Sequence, residues 1–262
     1  MTTQERIRKV EAIIISHTDY GEADRFLGLF TREMGKVRAL AKGVRKPHSR
    51  KAGHLEPFTC STLMLARGAS FWIVSQAESV NAFLPIRADL TRTAQAAYIL
   101  ELAERFSSED QENPPLYRLV RETLERIASE PDPFFAIRHY EMRFLDLVGY
   151  KPELFHCVQC REEIQAVDQF FSPLQGGVLC PRCGALVAAA EPINVHTLKY
   201  LRHFQRSNYT ECRRASISSA QRNEIEKFVQ HYLTYLAERR LNSPRFLRQV
   251  RGLERQKENE DQ

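Results

Sequence analysis

Four of the chain's six cysteines fall into two Cys-x-x-Cys pairs, Cys157-Val158-Gln159-Cys160 and Cys180-Pro181-Arg182-Cys183, with 19 residues between the pairs. Two residues between thiols let one tight turn aim both sulfurs at a single ion, and a short hairpin carries the second couple to the remaining corners of a tetrahedron. The spacing predicts one structural zinc ion held by Cys157, Cys160, Cys180 and Cys183. Four thiolates leave no position for a reactive water, so hydrolytic zinc chemistry is not expected. The segment carries few large apolar residues, Phe170, Phe171, Leu174 and Leu179 among them, and is expected to need the metal in order to fold. Free or redox-active thiols are the competing reading. Cys60 and Cys212 have no partner at ligand spacing and read as small buried side chains. His156 could replace a ligand, but the full cysteine set makes that unnecessary.

Cysteines paired for metal rather than for disulfides suit a reducing compartment. The residues from Met1 to Val10 are charged, with no signal-like apolar core behind them, and no apolar run of about 18 residues follows. A cytoplasmic protein is expected. At 262 residues, with 43% hydrophobic and 27% charged side chains, the chain has globular composition and room for two or three modest units.

Five strands are predicted near residues 10–16, 25–31, 35–42, 58–66 and 70–79, from β-branched runs such as Ile13-Ile14-Ile15 and Trp72-Ile73-Val74 and from turn residues at Gly21, Gly35 and Gly68. Five strands in so short a span suit a closed barrel such as the OB-fold. From Asp89 the period becomes helical: Leu116, Leu119, Val120, Thr123, Leu124 and Ile127 form one face. Asp132-Pro133 reads as an N-cap with proline at the first helical position, Gly149 as a stop, and Ser218 with Gln221 as a capping box. The expected class is therefore α+β and multidomain. It comprises an N-terminal five-stranded OB-fold barrel (1–82), an α-helical domain (83–150 and 193–255), an inserted four-cysteine zinc module (151–192) and a polar tail (256–262).

Between Lys36 and Lys51 the chain carries Lys36, Arg38, Lys42, Arg45, Lys46, Arg50 and Lys51 and no acidic residue. Strand alternation puts Lys36, Arg38 and Lys42 on one face and Val37, Ala39 and Ala41 on the other, toward the barrel interior. A basic barrel face continued by a basic loop suits a phosphate backbone; an ordinary solvated charge run is the alternative. Tyr20, Phe26, Phe58, Phe71 and Trp72 are candidate stacking partners for bases, although most are expected in the core. Arg239, Arg240, Arg245, Arg248 and Arg251 form a second basic region that could extend the surface or simply be solvated. Four zinc thiolates would lower the formal charge of +5 to about +3, so distribution matters more than net charge.

Catalytic signatures are missing. Gly28 and Gly35-Lys36 imitate part of a phosphate-binding loop, but six residues separate the glycines where that loop has about four. No nucleophile elbow, metalloprotease helix or dinucleotide fingerprint occurs, and no carboxylate pair accompanies the basic cluster. A zinc-ribbon RNA-binding or transcription-associated factor is the main alternative to a DNA-binding protein, and a metal-dependent nuclease a more distant one.

The segments Asp19-Tyr20-Gly21-Glu22-Ala23-Asp24-Arg25, Leu29-Phe30-Thr31-Arg32-Glu33-Met34-Gly35-Lys36, Ala41-Lys42-Gly43-Val44-Arg45-Lys46 and Ser49-Arg50 resemble the N-terminus of the bacterial RecO recombination mediators. Pro57-Phe58, the four cysteines and the late Leu241-Asn242-Ser243-Pro244-Arg245-Phe246-Leu247 follow in the family's order. Pro244 stands where that pattern commonly has a basic residue. The resemblance implies an OB-fold, a helical domain with a zinc module lodged in it, and binding of single- and double-stranded DNA. It further implies annealing of complementary strands and, together with RecR, loading of RecA onto strands coated by single-stranded-DNA-binding protein. It points to Lys42, Arg45, Lys46 and Arg50 most directly as DNA contacts, and to zinc as architectural, since some relatives lack the cysteines.

Overall fold

Val10, Ala12 and Ile14 are almost fully buried at alternate positions of one strand, as a sheet with a packed face requires. The computed structural model describes residues 7–109, 111–237 and 249–250. Five strands, β1 (Ile7–Tyr20), β2 (Asp24–Thr31), β3 (Gly35–Ala41), β4 (Cys60–Arg67) and β5 (Trp72–Asn81), close into a barrel of order β1-β2-β3-β5-β4. All pairs are antiparallel except β3 with β5, which run parallel through Ala39↔Trp72 and Leu40↔Ile73. That connectivity is the OB-fold, and closure leaves no exposed sheet edge.

The interior is filled by Val10, Ala12, Ile14, Leu27, Leu29, Val37, Ala39, Ala41, Leu63, Leu65 and Val74, with Trp72 beside them. Val37, Ala39 and Ala41 point inward as their alternation predicts. β1 bulges between Ile14 and Ser16. At the β2–β3 turn Gly35 has φ +64°, and the Thr31 hydroxyl donates to the Gly35 carbonyl at 2.9 Å while accepting from Met34 N at 3.0 Å. The turn is buried but its polar groups are satisfied.

Ile13, Phe30 and Cys60 are fully buried although they leave the interior set. Helices α1 (Leu84–Ala88), α2 (Leu90–Arg105) and α3 (Pro114–Ser129) follow the barrel, and Tyr117 of α3 meets the Phe30 ring at 6.0 Å and the Cys60 sulfur at 3.4 Å. The Tyr117 hydroxyl also donates to Glu11 at 3.1 Å. Burial lifts the Cys60 thiol to about 11, so it stays protonated and acts as core. The compact units divide between Pro131 and Asp132. Helices α1–α3 belong to the same compact unit as the barrel, and Tyr117 of α3 packs on its outer face.

In the second unit, α4 (Phe134–Leu147) precedes a three-stranded sheet, β6 (Gln169–Ser172), β7 (Gly177–Leu179) and β8 (Glu191–Ile193), in the order β7-β6-β8. The one-turn helix α5 (Pro181–Gly184) lies between β7 and β8, and α6 (Val195–Arg206), α7 (Tyr209–Cys212) and α8 (Ser219–Leu236) complete the unit. Ser218 and Gln221 cap α8 reciprocally, as expected from sequence. The start of α4 differs by one residue. Pro133, at φ −82° and ψ 13°, is outside the helical region and is itself the N-cap, its carbonyl accepting from Ile137 N at 3.0 Å, while Asp132 accepts from Phe134 N at 3.1 Å. Gly149, at φ +83°, follows the end of α4.

Candidate metal centre and nucleic-acid surface

The first Cys-x-x-Cys pair sits on a tight backbone loop. Cys157 N donates to the Glu162 carbonyl at 2.9 Å, Arg161 N to the Cys157 carbonyl at 2.8 Å, and Val158 N reaches Val178 of β7 at 2.9 Å. Arg161 turns the chain with φ +66°. The second pair uses the end of β7 and α5: Cys180 is the extended N-cap, Pro181 starts the turn, and Gly184 N closes onto the Cys180 carbonyl at 2.8 Å. Gly184 has a steric reason to be glycine, since a Cβ there would stand 2.4 Å from the Phe170 ring.

These two turns bring the sulfurs of Cys157, Cys160, Cys180 and Cys183 within 4.8 Å of one another, with Cys160 and Cys180 at 3.9 Å. A tetrahedral zinc ion with Zn–S of about 2.3 Å separates its sulfurs by about 3.8 Å, so the donor set fits. Burial disfavours the Cys157 thiolate, but the amides of Cys160, Cys180 and Gln159 outweigh it and bring the thiol down to about 6. The hydrogen bond to Cys180, with burial second, pushes Cys183 up to about 12. The cluster could bind a metal, and nothing in it resembles an open catalytic position. Phe171 of β6 packs edge-on against Phe228 and Tyr232 of α8 at 4.7 and 5.2 Å, while Arg202 and Gln205 of α6 donate to the Leu154 and Pro152 carbonyls. The module is thus tied to the helices of its own unit.

The basic stretch is a folded loop. Val44 and Leu55 are buried in the barrel core, Gly43 N donates to Asp24 at 2.7 Å, and Arg45 N donates to the Ala23 carbonyl at 2.9 Å. The structure sorts its seven cations. Arg38, Lys42, Lys46 and Arg50 are exposed and make no ion pair among the described residues. Lys36 is paired with Glu104 at 3.7 Å, and Arg45 with Asp19 at 3.4 Å. Lys51 donates to the Val74 carbonyl at 3.0 Å, and burial lowers its pKa. Arg25 grips both Asp19 (2.9 Å) and Glu56 (3.1 Å), and its hydrogen bond holds the Asp19 carboxyl below the usual range. Arg239, Arg240, Arg245, Arg248 and Arg251 lie outside the described residues.

The aromatic expectation needs correction. Of Tyr20, Phe26, Phe58, Phe71 and Trp72 only Trp72 is buried; Tyr20 is 53% exposed, and the other three are half-buried. Tyr20, Phe26 and Phe71 form an edge-to-face chain with centroids 4.8 and 5.1 Å apart, and Arg38 lies over Phe26 at 5.8 Å. Arg67, 5.5 Å above the Trp72 ring, joins this surface although it stands outside the basic stretch. Its one sequence signal is its place beside the Gly68 turn.

Fold and sites define a class: an α+β protein with an N-terminal OB-type barrel followed by helices that carry a four-cysteine centre. Residues 5–83 match the family model described as Recombination protein O N terminal, and residues 87–245 match Recombination protein O C terminal. DNA repair protein RecO of Dehalococcoides mccartyi is 36% identical over 231 residues, covering 88% of this chain and 91% of the relative. That of Roseiflexus sp. is 37% identical over 250 residues, covering 95% and 88%, and that of Pelotomaculum thermopropionicum 36% over 242, covering 92% and 94%. The chain belongs to the RecO family of DNA repair proteins. No helix among the described residues is long and apolar enough to cross a membrane.

Proposed function

We propose that this chain is a non-enzymatic recombination mediator of the bacterial cytoplasm. It binds single- and double-stranded DNA and anneals complementary strands. Together with RecR it helps to load RecA onto strands coated by single-stranded-DNA-binding protein. The observation that carries the reading is the set of four exposed cations that make no ion pair among the described residues, Arg38 on β3 and Lys42, Lys46 and Arg50 on the loop that follows it and is pinned to the barrel. Two phosphate backbones repel each other; a fixed cationic surface that holds both lowers that cost, and base pairing supplies the driving force. Holding the loop in place beforehand avoids an ordering cost on binding. Lys36, Arg45 and Lys51 are secondary contacts, because each would have to leave a partner to reach a phosphate.

One zinc ion on Cys157, Cys160, Cys180 and Cys183 would supply folding energy to the β6–β8 module and no chemistry on DNA. Helices and zinc module form the second functional block of the proposal, with the barrel as the first. The test is binding of labelled single-stranded DNA, duplex DNA and RNA of matched length and sequence across a salt series. Salt-dependent affinity for both DNA forms is expected; a strong preference for RNA would overturn the reading in favour of an RNA-binding factor.

A further inference from the structure

Beside the exposed cations the barrel holds a cleft of about 360 Å³, bounded by β2, β3 and the turn between β4 and β5. Phe26 and Phe71 line it with the guanidinium groups of Arg38 and Arg67, and Lys36 and Glu109 close one side. We propose that this cleft holds one unpaired nucleobase of a bound single strand, stacked against Phe26 and Phe71, with the flanking phosphates on Arg38 and Arg67. The proposal rests on the DNA-binding reading above and adds what that surface recognises.

Three features point to this occupant. The rings meet at 88° with centroids 5.1 Å apart, so one offers its face where the other offers its edge, and both remain half-buried beside an open cleft. The guanidinium groups rest on aromatic rings, Arg38 on Phe26 and Arg67 on Trp72 at 5.8 and 5.5 Å, which fixes them at the rim. Lys36 is already paired with Glu104, so Arg38 and Arg67 against Glu109 favour an anionic ligand, while the rings favour a flat apolar one; a nucleotide unit combines both. The turn is built tightly. Gly68 N donates to the Phe71 carbonyl at 3.0 Å, and a Cβ on Gly68 would stand 2.6 Å from that oxygen. In barrels of this connectivity the β2–β3 face and the β4–β5 loop commonly receive oligonucleotides.

A paired base cannot enter, since both its faces are covered by the duplex stack. The cleft therefore adds affinity for single strands alone and must give up its base as pairing proceeds.

The chain's single tryptophan, Trp72, is 8% exposed and lines the same cleft, which makes it an internal reporter. The full-length protein would be titrated with a single strand, with an abasic backbone of the same length and charge, and with the duplex, at one salt concentration. The normal strand is expected to bind about ten-fold more tightly than the abasic one and to change the Trp72 emission, which the other two leave alone. Phe71→Ala is expected to bring the normal-to-abasic ratio toward one. Equal binding of normal and abasic strands by the unaltered protein would overturn the proposal, and that arm does not depend on whether the variant folds. Absence of salt-dependent binding to all three ligands would instead remove the DNA-binding reading itself.

Discussion

Lys51 Nζ donates to the Val74 carbonyl at 3.0 Å, which draws the last charge of the basic stretch into the barrel wall. A cluster that reads as seven equivalent cations is thus divided in space into an exposed set and a structural one. Replacing Arg38, Lys42, Lys46 and Arg50 by glutamine is expected to weaken DNA binding whatever the sequence. It should flatten the salt dependence on single strands by about 0.7 per lost contact, about 3 for the set. Lys51→Met is expected to act on folding, costing about 1–3 kcal/mol for the carbonyl left without a donor, with little change in the slope. Anisotropy titrations across salt and urea unfolding separate the two; an unchanged slope in the quadruple variant would remove these residues from the interface.

The sulfur cluster sets a second expectation. Protein purified without added metal should contain about one zinc per chain, and Cys157→Ser with Cys180→Ser should remove it. Structural zinc contributes about 10–16 kcal/mol in isolated fingers, more than three short strands can supply by packing. The double variant is therefore expected to show early proteolytic cleavage within residues 153–193, read by mass spectrometry. The salt slope of DNA binding should persist, since the exposed cations belong to the barrel. Less than about half an equivalent of zinc in folded protein would contradict the structural role.

Gly184→Ala tests the packing behind the second knuckle. The new Cβ would stand 2.4 Å from the Phe170 ring, and β6 would have to move to admit it. Overpacking of this kind costs about 1–3 kcal/mol, and a lowered Tm with weakened zinc retention is expected. A Tm equal to that of the unaltered protein would mean that β6 yields freely.

The barrel, the capping box at Ser218 and the cysteine centre were legible in sequence because each rests on local chemistry: alternation of side chains, a three-residue cap and a two-residue knuckle. The sequence carried less information where distant segments meet. Ser16 to Tyr20 are largely polar and look like a turn, yet they extend β1 because their backbone pairs with residues 24–28 and Asp19 binds Arg25. Arg45 loses its freedom to Asp19, and Lys51 to Val74, through register that no local pattern announces. The aromatic surface was misjudged for the same reason. Whether Phe71 and Trp72 face inward depends on the parallel β3–β5 pairing, while Phe26 sits out of step with the inward Leu27 and Leu29 of β2. The uninterrupted run Ile13-Ile14-Ile15 did hold a clue to the cover on the outer barrel face. Burial of both Ile13 and Ile14 means that the barrel wall is covered on two sides, and α3 contributes to the outer cover.

The mediator reading is tested most directly by annealing complementary labelled strands, each coated beforehand with single-stranded-DNA-binding protein from the same organism, with and without this chain and without nucleotide. Annealing that speeds up in proportion to added protein, and fails to do so with the quadruple variant, is the expected result. Tight DNA binding with no acceleration on coated strands would contradict it and leave a DNA-binding protein that does not act as a mediator.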